Sequence, residues 1–160
     1  MTDSELNIRK AQETDIPGLT HVWNESWHAG HAVLDPEAAK HRDLPYFQAR
    51  MGSNIACMIV AEKAGRIVGF SGWEGDGVGQ LFVLPSHFGR QVGSRLLATV
   101  EAILKAEGHT TVWLHCREGN ERARTFYEKH GWRIIRTFDD QIGTHIGFLP
   151  TRAWHMEKVL

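Results

Sequence analysis

The hydrophobic pattern in the first third of the chain predicts one strand followed by two helices. Leu6 and Ile8 alternate with polar residues, which is typical of a half-buried strand. Helical spacing of apolar residues then predicts a first helix that ends at Gly30. Those apolar residues are Leu19, Val22, Trp23 and Trp27. A second helical pattern covers residues 35–47, and we expect Pro45 to interrupt it, because proline breaks the hydrogen bonds of a helix interior.

The middle of the chain predicts three strands joined by tight turns. Met58–Glu62 and Arg66–Trp73 are apolar, partly β-branched segments, and the turn residues 63–65 between them indicate a hairpin. A second glycine-rich turn at residues 75–77 leads into Val78–Leu84, the next apolar segment. These segments form the first half of a sheet.

A strand–helix–strand unit follows. Apolar residues at helical spacing over residues 92–104 predict a helix that ends near Gly108, and Thr111–Cys116 predicts the next strand. A crossover through one helix forces the two flanking strands to run parallel. Another helix ends at Gly131. The closing strands are Trp132–Phe138 and Arg152–Val159. We therefore expect an α/β fold with a mixed sheet, in one domain over residues 1–160.

Composition narrows the classes of function. A chain of 160 residues with 42% hydrophobic residues suits one globular domain, and a formal net charge of −1 gives no reason to expect nucleic acid or a membrane as partner. No apolar run approaches the ~18 residues of a membrane span, and no signal peptide is visible. Cys57 and Cys116 form no disulfide framework, so we expect a cytoplasmic protein. His28 and His31 lack supporting ligand spacing, so no metal is expected.

The first segment with candidate chemistry is GQLFVLPSHFGRQVGSRLL, residues 79–97. A strand ends, a glycine-containing loop follows, and a helix begins at about Val92. A helix N-terminus presents unpaired N–H groups and the positive end of the dipole, which favour phosphate. Gly89 and Gly93 allow the backbone to approach a ligand closely, and Arg90 adds a positive charge. The alternative is an ordinary strand–helix loop whose glycines serve only the turn.

The second segment is GNERARTFYEKHGW, residues 119–132. Asn120 can cap the helix that follows it. Ala123, Phe126 and Tyr127 form its inward stripe. Taken alone, Tyr127 is better explained as part of the core face of an amphipathic helix.

In this order and at this spacing the two segments closely resemble the GNAT N-acetyltransferase superfamily, and the resemblance extends over residues 57–135. It implies a single-domain fold with a mixed, mostly antiparallel sheet, flanked by helices, whose central parallel pair is splayed for CoA. The family's loop pattern is Gln or Arg, two residues, Gly, one residue, then Gly or Ala. Those positions hold Phe88, Gln91 and Gly93, of which only Gly93 matches.

The resemblance implies an acetyl-CoA-dependent N-acetyltransferase, with the donor bound between the parallel strands. The backbone of three strand residues would pair with the pantetheine arm: Leu81, Phe82 and Val83. The loop and first helical turn would hold the pyrophosphate: Phe88, Gly89, Arg90, Gln91, Val92, Gly93 and Ser94. Asn120 would contact the cofactor near its thiol, and Tyr127 would stabilise or protonate the departing thiolate.

Two residues are candidates for the base that takes a proton from the acceptor ammonium. Some relatives use a Glu on the strand before the Asn helix, and that position holds His115 here. A His with a pKa of about 6.5 suits the task. The alternative is a structural, hydrogen-bonded histidine. Glu74, in the turn after the hairpin, is the second candidate.

The acceptor is expected to be a primary amine of a small molecule or a peptide. Aromatic and imidazole groups concentrate in residues 21–31, so Trp27 and His28 are expected to line its pocket, with Trp73 approaching from the hairpin. An ammonium resting on a Trp face gains about 0.5–2 kcal/mol. The alternative is that the tryptophans fill the core and the histidines are solvated.

Other functions and the oligomeric state stay open. The replacements at Phe88 and Gln91 favour an acyl-CoA-binding sensor without transferase activity. A further alternative is transfer of a longer acyl group, or transfer to a hydroxyl. The sequence leaves the oligomeric state undecided, with a homodimer as one alternative.

Overall fold

The computed structural model describes residues 5–160, which form seven strands and five α-helices. The strands are β1 (Asn7–Lys10), β2 (Met58–Lys63), β3 (Arg66–Glu74), β4 (Gly77–Val83), β5 (Thr111–Arg117), β6 (Arg133–Thr144) and β7 (Gly147–Val159). The helices are α1 (Ile16–His31), α2 (Pro36–Ala39), α3 (Leu44–Arg50), α4 (Val92–Ala106) and α5 (Glu121–Lys129). Within this range, no helix combines the length and the apolar character needed to cross a membrane.

The strands form a seven-stranded sheet in the order β1-β2-β3-β4-β5-β7-β6. Every neighbouring pair is antiparallel except β4 and β5, which run parallel. The parallel direction follows from the crossover through α4, because a chain that returns through one helix re-enters the sheet in the same direction. The prediction of a mixed, mostly antiparallel α/β sheet flanked by helices is confirmed.

The parallel pair is joined only at its beginning. β4 and β5 pair at two positions, Gly77 with Trp113 and Val78 with Leu114. Both strands continue beyond these positions without a further backbone pair between them. They therefore diverge toward their carboxyl ends and leave a cleft in the middle of the sheet.

Trp113 fastens the closed end of this cleft. Its indole Nε1 donates to Asp76 Oδ1 at 2.8 Å, and its backbone N–H donates to the Asp76 carbonyl at 3.3 Å. The indole lies directly against Gly77, where a Cβ atom would come within 2.7 Å of two ring carbons. Glycine is required at position 77 because any side chain would occupy the space of the ring.

α4 covers β3 and β4 with an apolar stripe. Its five buried residues are each at most 2% exposed: Val92, Leu96, Leu97, Val100 and Leu104. Burial of such a side chain contributes about 1.5–3 kcal/mol. The helix comes close to the strand at Gly69, where a Cβ atom would lie 3.0 Å from Val92 and 3.1 Å from Leu96. This packing sets the first turn of α4 beside the end of β4.

α1 packs against α3, β3 and β4. Its buried apolar residues are Leu19, Val22, Trp23 and Trp27, as the helical spacing predicts. Ser26 adds a polar tie, since its Oγ donates to the Val83 carbonyl at 2.7 Å. The second half of α1 is thereby joined to the end of β4, at the mouth of the cleft.

Two predicted helix boundaries are wrong. α1 continues through Gly30 and ends at His31. A glycine inside a helix costs about 1 kcal/mol, which the packing of the rest of α1 outweighs. Pro45 does not interrupt a helix but lies in the first turn of α3, where N–H groups have no partner within the helix. Asp43 caps this turn by accepting from the Tyr46 N–H at 3.0 Å.

β6 and β7 form a longer hairpin than predicted, with 12 and 13 residues. The predicted strands, Trp132–Phe138 and Arg152–Val159, cover only its inner half. The tip rests on the segment between α2 and α3. There the His145 N–H donates to the His41 carbonyl at 3.1 Å, and His145 Nε2 donates to Asp43 Oδ1 at 2.7 Å. These contacts set the hairpin against the helices at the end of α1.

We expect Gly77→Ala to lower the free energy of unfolding by about 1–3 kcal/mol, because its methyl group would overlap the Trp113 indole. Gly79→Ala is the matched control on the same strand, since a Cβ atom there meets only the Gly72 backbone, at 3.8 Å. Urea unfolding followed by fluorescence measures both variants. Equal losses would show that the contact between Trp113 and residue 77 does not constrain the cleft.

Candidate active site

The cleft between β4 and β5 holds a cavity of about 310 Å³. Its walls are the diverging halves of the two strands, and α5, the first turn of α4 and the end of α1 complete it. The lining residues are Ser26, Gly30, His31, residues 78–83, 87–89, 91–94 and 114–117, Asn120, Arg122, Ala123, Phe126 and Tyr127.

The three predicted pantetheine residues lie along one edge of this cleft. Leu81, Phe82 and Val83 line the cavity beyond the last pair with β5 and pair on their other side with β3. The Val83 carbonyl accepts the hydrogen bond from Ser26. An open strand edge binds an extended ligand through backbone hydrogen bonds, as a further strand would. The geometry is therefore suited to an extended, amide-containing arm.

Six of the seven predicted pyrophosphate residues line the cavity, and Arg90 is the exception. Gly89 and Gln91 both have left-handed backbone conformations, with φ of +74° and +64°. They turn the chain so that α4 begins at Val92 with its N-terminus toward the cleft. Gln91 makes no side-chain cap, so it leaves the N–H groups of the first turn to another partner. Together with the helix dipole, these groups suit a diphosphate.

Arg122 is a cationic residue of the cleft that the sequence analysis missed. Its guanidinium carbon lies 3.2 Å from the ring centroid of Phe88, and both residues line the cavity. Such stacking on an aromatic face stabilises a cation. Phe88 stands where the family pattern has Gln or Arg, and its ring brings a guanidinium to that region. The two residues are far apart in sequence, so no local pattern could have paired them.

α5 brings Asn120 and Tyr127 into the same cavity. Asn120 is the N-cap residue, and its Oδ1 accepts from the Ala123 N–H at 3.3 Å. Burial, followed by the neighbouring Cys116, raises the pKa of Tyr127. Burial also raises the pKa of Cys116 to about 12. Both groups are therefore protonated at neutral pH, and Tyr127 places a phenolic donor in the cleft.

His115 lies on β5, where it lines both the cleft and a second cavity of about 150 Å³. Its ring contacts Trp113 and Phe138 at centroid distances of 4.7 and 4.6 Å. Burial, followed by the charge of His155, lowers the pKa of His115. Its imidazole is therefore neutral at neutral pH and able to accept a proton.

The second cavity lies between the end of α1 and the β6–β7 hairpin. Like His115, His31 lines both this cavity and the cleft. Most of its charges are paired. Arg117 donates twice to Asp35, at 2.8 and 2.9 Å, and Arg152 is bonded to two exposed carboxylates. Asp140 lines this cavity without an ion pair to any residue that the structure describes. Asp140 Oδ1 accepts from the Gln141 N–H at 2.8 Å, so the described part of the cavity offers beside His115 a hydrogen-bonded carboxylate without an ion-pair partner.

The structure separates the three predicted acceptor residues. Trp27 is 3% exposed and lines the second cavity, where it stacks on His31 at a centroid distance of 5.4 Å. His28 is one position further round the helix, and its Nε2 lies 2.5 Å from the Arg42 carbonyl, outside both cavities. Trp73 is buried and also lies outside both cavities, directly after a register shift in the pairing of β3 with β4.

Carboxylates contribute little to the cleft itself. Glu74 is exposed at the end of β3, paired with Gly77 at the closed end of the parallel pair, and it lines neither cavity. Of the two base candidates, the structure thus places only His115 beside the cavities. Among the residues described, no group of three His, Cys, Asp or Glu side chains could hold a metal ion.

The chain is similar to known proteins over most of its length. It matches the acetyltransferase (GNAT) family over residues 17–132. It is also 30% identical over 130 residues to the peptidyl-lysine N-acetyltransferase YiaC of Escherichia coli (strain K12), a match that covers 80% of this chain and 84% of the relative. Both matches include the β4–α4 loop and α5, the two segments that the sequence analysis singled out.

Solved structures share the fold. A GCN5-related N-acetyltransferase from Rhodopseudomonas palustris superposes with a TM-score of 0.77 at 22% identity, over 100% of this chain and 99% of that one. The PaiA N-acetyltransferase from Thermoplasma acidophilum, solved in complex with coenzyme A, gives a TM-score of 0.73 at 20% identity, over 98% and 99% of the two chains. With its family match, its relative and its splayed parallel strands, the chain belongs to the GNAT family of acetyltransferases.

Proposed function

We propose that this acetyltransferase moves the acetyl group of acetyl-CoA to a primary amine of a small molecule or a peptide. The observation that carries the proposal is the continuity of one cleft, from the N-terminus of α4, along the open edge of β4, to the phenol of Tyr127. An anion site, an edge for an extended arm and a proton donor follow one another in the order of the pyrophosphate, pantetheine and thiol of CoA. The peptidyl-lysine relative supports an amine as acceptor.

The donor is held mainly by backbone groups. The first-turn N–H groups of α4 and the loop at residues 88–91 bind the pyrophosphate, with Arg122 as the neighbouring cation. The pantetheine arm pairs with Leu81–Val83, and Asn120 lies near its thiol end. Backbone donors are present whatever the side chain, so the replacements at Phe88 and Gln91 are compatible with binding.

In the reaction the neutral amine nitrogen attacks the thioester carbonyl carbon. A backbone N–H near Phe82 or Val83 stabilises the oxyanion of the tetrahedral intermediate. As the intermediate collapses, the C–S bond breaks and the nitrogen loses its extra proton to solvent, so the products are the amide and the thiolate of CoA. Tyr127 donates a hydrogen bond to the departing thiolate. Complete transfer of its proton is uphill by about 2 kcal/mol at ordinary phenol and thiol pKa values. The raised pKa of Tyr127 adds to this cost, so hydrogen bonding is its main contribution.

His115 is the base, since it lines both cavities while Glu74 lines neither. The amine enters through the second cavity, which the cleft meets at His31, His115 and Arg117. There Asp140 faces the ammonium, while Trp27 forms part of the wall but has its ring packed against His31 and the Arg42 guanidinium. His28 and Trp73 have no part in this proposal, because they lie outside the second cavity.

The proposal also places the enzyme in the cytoplasm. Cys57 and Cys116 are both free thiols, which suits a reducing compartment.

Light scattering on the purified chain measures whether it forms the homodimer that the sequence leaves open.

We expect the wild type to bind acetyl-CoA in calorimetry and to release free thiol with members of an amine panel. Tyr127→Phe should lower kcat by about 100-fold with CoA affinity unchanged, because the hydroxyl acts mainly as thiolate forms. An unchanged kcat would remove Tyr127 from the mechanism. Tight binding by the wild type without thiol release from any amine would favour the acyl-CoA sensor instead.

Gln91→Gly should keep or improve CoA affinity and raise the free energy of unfolding by about 0.5–1 kcal/mol, because glycine accepts the left-handed backbone at this position. Gln91→Ala is the control, since it removes the same side chain but leaves the strain. We expect it to keep the affinity without the gain in stability. A large loss of affinity in both variants, measured by calorimetry, would show that the Gln91 side chain holds the cofactor.

Asp140→Asn should raise the acceptor KM by about 10-fold while CoA affinity stays unchanged, because it removes the carboxylate that faces the ammonium. Glu107→Gln is the control, because it removes an exposed carboxylate that lies outside both cavities. It should keep the wild-type KM. Equal values of KM in the two variants would exclude Asp140 as the acceptor's partner.

A further inference from the structure

A line of three side chains runs from the cleft across β5 and β7. His115 and His155 are direct cross-strand partners, and His115 Nε2 lies 3.1 Å from His155 Nδ1. Glu157 is two residues further along β7 and so on the same face of the strand. Its Oε2 lies 3.1 Å from His155 Nε2. Of the three, His115 alone lines the cleft and the second cavity.

The order of these groups sets the direction of both hydrogen bonds. A carboxylate only accepts, so Glu157 takes the N–H of His155 Nε2. While His155 is neutral it has one donor and one acceptor nitrogen, which leaves Nδ1 as the acceptor; a protonated His155 would instead donate from both nitrogens. His115 then donates from Nε2, and the lone pair of its Nδ1 stays outside this chain of bonds.

We propose that His155 and Glu157 are positioning residues that hold His115 as the base of the acetyl transfer, with Nδ1 as its proton-accepting atom. The inference rests on the proposed function, because it needs an acceptor amine that loses a proton. It adds two residues, His155 and Glu157, that do not exchange a proton with the substrates and do not contact the donor. Both come from β7, a strand in which the sequence analysis found no candidate.

The proton transfer balances within this set of groups. The bond between the amine nitrogen and its proton breaks, and a bond between that proton and His115 Nδ1 forms. The electron pair stays on the amine nitrogen, which attacks the thioester. His115 becomes an imidazolium, whose Nε2–H continues to donate to His155. The negative charge of Glu157, two hydrogen bonds away, stabilises the imidazolium.

Charged groups of two neighbouring strands act on His115. Burial lowers its pKa most, followed by His155 on β7, while on β6 Asp140 raises the pKa and Arg136 lowers it. On β7, His155 and Glu157 have side chains only 18% and 34% exposed. A partly shielded carboxylate interacts more strongly with a nearby cation than an exposed one does. Trp113 and Phe138 pack on the ring and fix its plane.

The kinetic test compares two replacements of His155. We expect His155→Leu to lower kcat by about 10–100-fold, with acceptor KM and CoA affinity within about twofold, because His115 loses the acceptor for its Nε2–H. His155→Asn places an amide oxygen where Nδ1 was and should restore kcat to within about fivefold of the wild type. A wild-type kcat in the Leu variant, or equal losses in both variants, would overturn the proposal.

Glu157→Gln keeps the hydrogen-bonding atoms but removes the charge. The imidazolium is then less stable, so the acidic limb of the kcat–pH profile should move to lower pH by about half a unit. Glu107→Gln, which removes an exposed carboxylate outside both cavities, should keep the wild-type profile. An acidic limb unmoved by Glu157→Gln would show that Glu157 does not act on His115.

Nitrogen-15 NMR of the histidine-labelled wild type tests the bonding without any turnover. We expect the proton on His115 Nε2 and a coupling through the hydrogen bond to His155 Nδ1, with signals assigned from His115→Asn and His155→Leu. A proton on His115 Nδ1 would overturn the inference, because the base atom is then occupied. If no coupling between His115 Nε2 and His155 Nδ1 is seen in a protein that releases thiol normally, only the positioning role of His155 and Glu157 is overturned. Coupling present in a protein that releases no thiol overturns the proposed function, and the base role with it.

Discussion

The site depends on a parallel ladder that stops after two pairs of residues. Once β4 and β5 separate beyond Val78 and Leu114, the edges of two central strands face each other across a cavity instead of bonding. The separation begins where the Trp113 indole occupies the space above Gly77 and holds Asp76. Because buried backbone groups need partners, this arrangement makes the middle of the sheet a place where a ligand completes the structure.

The groups around the cleft come from distant parts of the chain, and packing brings them together. The stripe of α4 sets its N-terminus at the end of β4, while Ser26 ties α1 to the same point. The ring of Phe88 packs against the guanidinium of Arg122, which lies at the start of α5. The departure from the family's loop pattern is thus accompanied by a cation from another element, which supports the proposal that this loop binds the pyrophosphate.

Local patterns predicted the elements well, because strands and helices are largely decided by hydrophobic period and by turn residues. The crossover through α4 even determined the direction of β5. The outer half of the β6–β7 hairpin was missed because, although burial alternates there, its partly buried positions include polar residues such as Asp140 and Thr151. Pro45 was misjudged because the same residue breaks a helix interior and suits a first turn.

Side-chain positions were harder to predict than elements. Trp27 lines the second cavity. His28, one residue later on the helix, lies against the Arg42 carbonyl instead, and Trp73 follows a register shift in β3 and lies outside both cavities. The pair of His115 and His155 depends on cross-strand register over 40 positions, which a single sequence does not reveal. The roles of these residues in catalysis remain predictions.

His31 and His115 line both the cleft and the second cavity, so the two spaces share part of one wall. A molecule in either space changes the solvation of the same two imidazoles. By thermodynamic linkage, the factor by which bound donor alters affinity for the acceptor equals the factor by which bound acceptor alters affinity for the donor. In the proposed function the donor and the acceptor occupy these two spaces, so the shared wall would make the binding of one substrate change the affinity for the other.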